Sequence, residues 1–427
     1  MNALQMKKHI EDGGLDARFC SLYGEDCVAA QRARYVDALT AFSHSYGEDR
    51  EVCLCSVSGR SELSGNHTDH NHGCVIAASV DLDIIAVAAK REDGVIRLLS
   101  EGFPEDEVDI SAYRAPDESR FGTSASLIAG MCAGFSKEGY AVGGFDAYTT
   151  SSVLKGSGLS SSAAFENMIG TILNHSYNGG RVDNVEIAKL SQYAENVFFG
   201  KPCGLMDQVA CAVGGIVAID FADPKEPIIE KIGLDLSAKG YRLCIVNTGG
   251  NHADLTDDYA AVPAEMKAVA AHFGKTVLRE LRKEELIGAI PALRESVGDR
   301  AVLRALHFLS ENERVAKQKA ALAADDLSVF FEEVIASGRS SYCYLQNVYT
   351  TKNVREQGLS LALCLAEDYL KGSAAAWRVH GGGFAGTVQA FVPEHMVDGF
   401  RATMNAVFGE GACIVLRIRT QGALCLI

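Results

Sequence analysis

The sequence predicts an α+β fold of two domains. Hydrophobic residues make up 48% of the 427 positions and charged residues 22%, the composition of a folded globular protein. Segments of strand character and segments of helical spacing follow one another without strict βαβ alternation. Glycine is plentiful at 42 against 8 prolines, and the glycines fall in clusters at the ends of apolar runs. The chain exceeds one ordinary core, so two domains of about 200 residues each are expected. A change of pattern near residue 220 divides it into 1–220 and 221–427.

The elements are read in chain order. Ala30, Tyr35, Val36, Leu39 and Phe42 share a helical side, predicting an amphipathic helix over 30–45. Val52 to Val57 reads as a strand, followed by a polar loop from Ser58 to Gly73. Val75 to Val80, Ile84 to Ala89 and Phe145 to Val153 read as further strands. A Gly/Ser loop, Lys155 to Ser162, leads into a helix over 163–177 that carries Phe165, Met168, Ile169, Ile172 and Leu173 on one side. A second helix spans 184–199, and a Gly/Cys/Pro loop spans 200–208. Tyr241 to Asn247 is a strand, with helices at about 258–272, 299–323, 327–338 and 354–371. Strands recur at 376–379, 387–392 and 412–418, the first running into Gly381-Gly382-Gly383.

The formal charge of −15 argues against a nucleic-acid partner, which needs a basic face. It leaves a nucleotide substrate open, because loop amides and a divalent metal neutralise a triphosphate locally. The thirteen cysteines include no CxxC pair. They read as free thiols of a reducing cytosol, with a metal or disulfide framework as the alternative. Residues 1–14 lack the apolar run of a secretory signal. No segment reaches the roughly 20 apolar residues of a membrane helix. We expect a cytoplasmic protein with no membrane partner, monomeric or weakly dimeric.

Four segments carry chemistry. SGRSELSGNHTDHNHG, 58–73, packs Arg60, Glu62, Asn66, His67, Asp69 and His70 into one stretch after an apolar strand. That is the pattern of a site on a scaffold, of a solvated loop, or of metal ligands among His67, Asp69, His70 and His72. KGSGLSSSAAFE, 155–166, joins two glycines to three serines that open a helix. Such a junction binds phosphate, and it is also how an ordinary Ser-capped helix begins. It lacks the GxxxxGK[ST] of a P-loop. AENVFFGKPCGLMDQ, 194–208, holds Glu195 at a helix end and Asp207 in a loop. One could hold a metal and the other act on a substrate hydroxyl, although most carboxylates are surface charges. RVHGGGFAGT, 378–387, is a glycine cluster after a strand, either a tight turn or backbone close to a ligand.

Taken in this order, the four segments resemble the galactokinase family of the GHMP kinases. The family's motifs GRxNxxGEHTDYNxG, PxGxGLSSSAAxE, PCGxMDQ and GGGFGG stand here as GRSELSGNHTDHNHG, LKGSGLSSSAAFE, PCGLMDQ and GGGFAG. Leu22-Tyr23-Gly24, Gly144-Phe145-Asp146, His307-Phe308 and the segment 311–315 extend the likeness along nearly the whole chain. The resemblance implies two α+β domains with the site in the cleft between them. It implies transfer of phosphate from ATP to a sugar anomeric hydroxyl, galactose first. It places the catalytic Asp at Asp207 and its partner at Arg60, with Mg²⁺ on Ser162 and Glu195. The phosphate cradle falls on Gly156, Ser157, Gly158, Leu159, Ser160, Ser161 and Ser162, and sugar contacts on Asn66, His67, Asp69, Gly204 and Tyr259.

The departures gather on the sugar side. The family's Asn in GRxN is Glu62, its Glu in GEHTD is Asn66 and its Tyr in TDYN is His70. Leu154 replaces the Pro before the serine loop, and Ser337-Gly338 stands for an SH pair. A related sugar such as galacturonate, or a sugar sensor on a kinase fold, are therefore the alternatives. Retention of Asp207, Arg60, Glu195 and the serines speaks against the sensor.

Overall fold

The computed structural model describes residues 1–112, 115–153, 158–250 and 255–427. The chain opens with three helices, α1 (Ala3–Glu11), α2 (Asp16–Tyr23) and α3 (Val28–Tyr46). Four strands follow: β1 (Cys53–Ser64), β2 (Cys74–Lys90), β3 (Val95–Ser100) and β4 (Asp106–Asp109). Next come α4 (Ser124–Lys137), β5 (Phe145–Ser151), α5 (Ser161–Asn178), α6 (Asn184–Tyr193) and α7 (Met206–Val213). Three strands, β6 (Ile216–Asp220), β7 (Ile228–Ile232) and β8 (Tyr241–Asn247), lead to helices α8 (Thr256–His272), α9 (Lys283–Gly288) and α10 (Ile290–Ser296). Three longer helices are α11 (Asp299–Ala323), α12 (Leu327–Ser340) and α13 (Gly358–Leu370). The chain finishes with β9 (Ala376–His380), β10 (Thr387–Pro393), α14 (Val397–Phe408), β11 (Cys413–Leu416) and β12 (Leu424–Cys425).

The strands form an eight-stranded sheet, ordered β12-β1-β2-β5-β3-β4 with β6 and β7 branching from β2, and a four-stranded sheet, β11-β8-β10-β9. Side chains alternate along the central strands, as a pleat requires. Cys55, Val57, Ile84, Ala86 and Ala88 face the main core under α4 to α7. Leu54, Ile85, Val87 and Ala89 face a second core with Met6, Phe19, Tyr35, Leu39 and Phe42 of α1 to α3. Both faces of the large sheet are thus covered. The main core runs on through Val315, Phe330 and Val334 of α11 and α12 to Ile245 and Phe391 of the small sheet, so the two sheets share apolar packing. Among the described residues no helix is long and apolar enough to cross a membrane.

Several sequence expectations are corrected. The strand expected to end at Val57 continues to Ser64, wholly buried, so Arg60 and Glu62 are strand residues and not loop residues. The two strands expected over 75–80 and 84–89 are one, β2, in which Asp83 is taken into the interior and the half-buried Asp81 accepts from the Arg417 amide at 3.0 Å. Asp83 is fully buried and ionically paired to Arg34 at 2.6 Å and Arg419 at 3.1 Å. The loop expected over 200–208 ends at Leu205, and Asp207 lies in the first turn of α7. Cys55 and Cys425, expected as free thiols, face each other across β1 and β12 and are joined as a disulfide; the other eleven cysteines are free. That pairing spans 370 residues, beyond what spacing along the chain reveals.

Candidate active site

The site is built on β1. A bulge at Gly59 shifts the β1–β2 register between Ser58 and Arg60, and bulges of this kind re-aim side chains beside active sites. Gly59 leaves room here: a Cβ would stand 3.1 Å from the Leu159 carbonyl, a tight contact that the serine segment would have to yield to. That same carbonyl accepts from the Arg60 amide at 3.1 Å, fixing the serine segment to the strand. Arg60 then grips Asp207 with two parallel bonds, Nε to Oδ1 and Nη2 to Oδ2, both 2.7 Å. Its remaining guanidinium nitrogen donates to the Gly158 carbonyl. Paired bonds of this geometry are both strong and directional.

Ser160 completes the arrangement. It is the N-cap residue of α5, yet φ is +57° and its hydroxyl makes no cap bond to the helix. It donates instead to Asp207 Oδ2. The first-turn amides of α5 are therefore left uncapped by this side chain, at the end where the helix dipole favours an anion. Burial by itself would raise the Asp207 carboxyl, but the Arg60 guanidinium and the Ser160 hydroxyl outweigh it and hold the group below the usual carboxylate range. Gly156 and Ser157, expected in the same cradle, lie outside the described residues.

One residue after Asp207, Gln208 leads to a second cluster. Glu195 lies on a π-helical turn that extends α6 (Ala194–Phe198) and is only 2% exposed. Its Oε1 pairs with Lys201 Nζ at 2.9 Å and its Oε2 accepts from Gln208 Nε2 at 2.8 Å. Glu166, fully buried on α5, shares that amide at 3.4 Å and leaves Oε1 with no partner. Burial first, and the Glu195 charge second, push Glu166 well above the usual carboxylate range. Glu195 and Glu166 are thus two buried carboxylates sharing one amide, one of them with an orphaned oxygen, and oxygen donors of this kind suit a hard divalent cation; Ser162 stands in the first turn of α5.

A cavity of about 160 Å³ opens beside Arg60 and is lined by Glu62, Asn66, His67, Asp69, His70, Met206, Gly381 and Gly382. Gly204 borders Asp69 so closely that a Cβ would meet Oδ2 at 2.8 Å. His67, with φ +58°, sets Nε2 2.9 Å from the Gly382 carbonyl. A carbonyl only accepts, so that nitrogen carries the proton and Nδ1 is an acceptor. Burial holds the ring below its ordinary pKa. Tyr259 backs the cavity wall: a Cβ on Gly382 would touch its ring at 2.7 Å, and its hydroxyl donates to the Gly383 carbonyl at 2.8 Å.

Asn66 differs from expectation. Its Nδ2 donates to Glu62 Oε1 at 3.1 Å and the Gly381 carbonyl at 2.7 Å, and its Oδ1 accepts from Asn347 at 2.8 Å and Ser341 at 3.2 Å. All four hydrogen-bonding positions of the amide are taken within the protein, so the side chain, at the cavity wall, ties Glu62 of β1 to the glycine loop. Asn66→Glu is accordingly expected to cost about 1–3 kcal/mol in denaturant unfolding. It removes the donor to Gly381 and sets a second carboxylate against Glu62.

The structure thus gathers Arg60, Asp207 and Ser160 in direct contact. Gln208 links them to Glu195, and Asn66, His67 and Asp69 line the adjoining cavity. Sequence reasoning passed over Glu166, Lys201, Gln208 and Arg378, although all four stand inside the quoted segments. Arg378 is fully buried and pairs with Glu62 Oε1 at 2.9 Å.

Comparison with known proteins agrees with this geometry. Residues 126–215 match the N-terminal domain of the GHMP kinases. Residues 40–90 match the galactokinase galactose-binding signature. Galactokinase of Streptomyces coelicolor is 30% identical over 383 residues, 88% of this chain and 94% of that protein. Human galactokinase is 29% identical over 398 residues, 91% and 96% of the two chains. The crystal structure of Lactococcus lactis galactokinase complexed with galactose superposes with a TM-score of 0.75 at 27% identity, covering 91% of this chain and 99% of that one. Identity at this level along nearly all of each chain, with four motif segments converging on one site, makes this chain a member of the galactokinase family of the GHMP kinases.

Proposed function

We propose that the protein is a galactokinase, transferring the γ-phosphoryl group of ATP to the anomeric hydroxyl of galactose. The observation that carries this is the Arg60–Asp207 pair, 2.7 Å at both contacts, standing between a sugar-sized cavity and the open end of α5. Phosphoryl transfer has little covalent demand, so positioning and charge stabilisation are the work of the site. In this reading Asp207 accepts the anomeric proton. Arg60 keeps Asp207 ionised and favours the developing alkoxide. Gly158 to Ser162, with Gly156 and Ser157, cradle the phosphates against the α5 terminus. His67, Asp69, Gly204 and Tyr259 shape the sugar side. Ser162 and Glu195, with Glu166, would hold Mg²⁺, which would supply positive charge to neutralise the phosphates. Two lobes, 1–220 and 221–427, a cytoplasmic location and a monomer or weak homodimer belong to the same reading.

The test is an ADP-release assay over galactose, galacturonate, glucose and N-acetylgalactosamine, with the product located by phosphorus NMR. Galactose 1-phosphate is the expected product. Turnover of galacturonate alone would move the reading to a uronate kinase. No turnover of any sugar would make the protein a sensor.

A further inference from the structure

The carboxylate of Glu62 has no part in the roles above. Glu62 stands two residues beyond Arg60 on β1, with unbroken register between them, so the two side chains leave the same face of the strand. Its two oxygens are treated differently. Oε1 accepts from Arg378 Nη2 at 2.9 Å and from Asn66 Nδ2 at 3.1 Å. Oε2 has no protein partner among the described residues, and it is not among the polar atoms sealed in without one. The residue lines the 160 Å³ cavity, and 8% of its side chain remains accessible. A carboxylate locked by two donors on one oxygen presents the other in a fixed direction, with little entropy left to lose on binding.

We propose that Glu62 is a specificity-determining residue whose Oε2 accepts a hydrogen bond from a hydroxyl of the bound sugar, with Arg378 and Asn66 as the residues that position it. The inference rests on the galactokinase reading. Asn66 cannot serve this purpose, because its amide is spent on Glu62, Gly381, Ser341 and Asn347. The departures at 62 and 66 then form one event. Where the family motif reads Asn and then Glu, this chain reads Glu and then Asn, and the two side chains are hydrogen-bonded to each other. Carboxylate and amide have exchanged places, so this pair of positions keeps its carboxylate, moved from 66 to 62. Arg378 reaches that position from β9, which makes the exchange tolerable in a buried setting.

The experiment is a cycle of one substitution against one missing hydroxyl. Glu62→Gln retains size and an oxygen for Arg378, and removes the charge. kcat and KM are measured for galactose and for its 2-, 3-, 4- and 6-deoxy derivatives with both proteins. For galactose the variant is expected to lose about ten- to a hundredfold in kcat/KM, the scale of a charged hydrogen bond. The loss should lie in KM for sugar, with KM for ATP within about twofold. For one deoxy sugar the same substitution should cost less than about threefold, because the bond is already gone. Glu62→Asp, which keeps the charge on a shorter stem, is expected to single out the same hydroxyl. A loss spread evenly over all five sugars, or none for any, overturns the proposal. Wild-type turnover of galactose is the control: its absence overturns the galactokinase reading and this one with it, whereas turnover with an even loss overturns Glu62 alone.

Discussion

Asp207→Asn is expected to lower kcat by about 10²–10⁴-fold while leaving the affinities for sugar and ATP within a few-fold. The amide keeps the size of the side chain and one oxygen to accept from Arg60, giving up one of the paired bonds, so the cavity and the α5 terminus are expected to stay in place. What goes is the acceptor for the proton of the attacking hydroxyl. Steady-state kinetics with calorimetric binding separates the two effects. A loss below tenfold would remove Asp207 from the chemistry, and a collapse of binding would make it a structural residue. The depressed Asp207 pKa adds a second check. The group stays ionised at every pH above the ordinary carboxylate range, so the acid limb of kcat/KM contains no contribution from it between pH 5 and 8.

Arg378→Leu is expected to cost about 3–5 kcal/mol of stability, the scale of breaking a buried ion pair from one side. The guanidinium is fully buried and serves three acceptors: Glu62 Oε1 at 2.9 Å, the Leu63 carbonyl at 3.0 Å and the Val379 carbonyl at 3.0 Å. Two of these lie on β1 and one on β9, so a single side chain joins the large sheet to the small one behind the cavity. Its loss strands a carboxylate in the interior. Denaturant unfolding measures the cost. The double variant Glu62→Gln with Arg378→Leu should recover part of it, because the stranded charge is then gone. A single variant as stable as wild type would show that water reaches Glu62 and carries its charge.

The residues of the site were legible where chemistry is concentrated in sequence. Arg60, His67 and Asp69 fall within ten positions, and Glu195 and Asp207 within thirteen, so order and spacing marked them. The helix at 163–177, the strand at 241–247 and the long helix at 299–323 were readable from period alone. What misled was burial of polar groups. Ser58, Arg60, Glu62 and Ser64 look like loop residues by composition, yet β1 buries all of them, since Asp207 and Arg378 compensate two of the charges. Asp81 and Asp83 looked like a break between strands for the same reason. The compensating partners lie 147, 316 and 336 residues away for Arg60, Glu62 and Asp83, and no window along the chain contains them. The direction of the Asn66 amide was likewise a matter of Asn347 and Gly381.

The closing segment of the fold has a consequence for how the protein is made. Residues 417–426 are threaded along the back of the catalytic elements. Arg419 donates its amide to the Ser79 carbonyl and accepts from Gly215, while Ala423 donates to Ala212 at the end of α7. Leu424 and Cys425 then cover the outer edge of β1. On a translating ribosome, β1 and the Asp207 helix emerge hundreds of residues before the strand that seals them. Until then the nascent chain carries an open β edge at the very element that holds Arg60, and such edges recruit other chains. Closure of that edge waits for a contact between positions 370 residues apart, so the scaffold beneath Arg60 is completed by one of the longest-range pairings in the fold, the kind whose loop-closure entropy makes it slow to form.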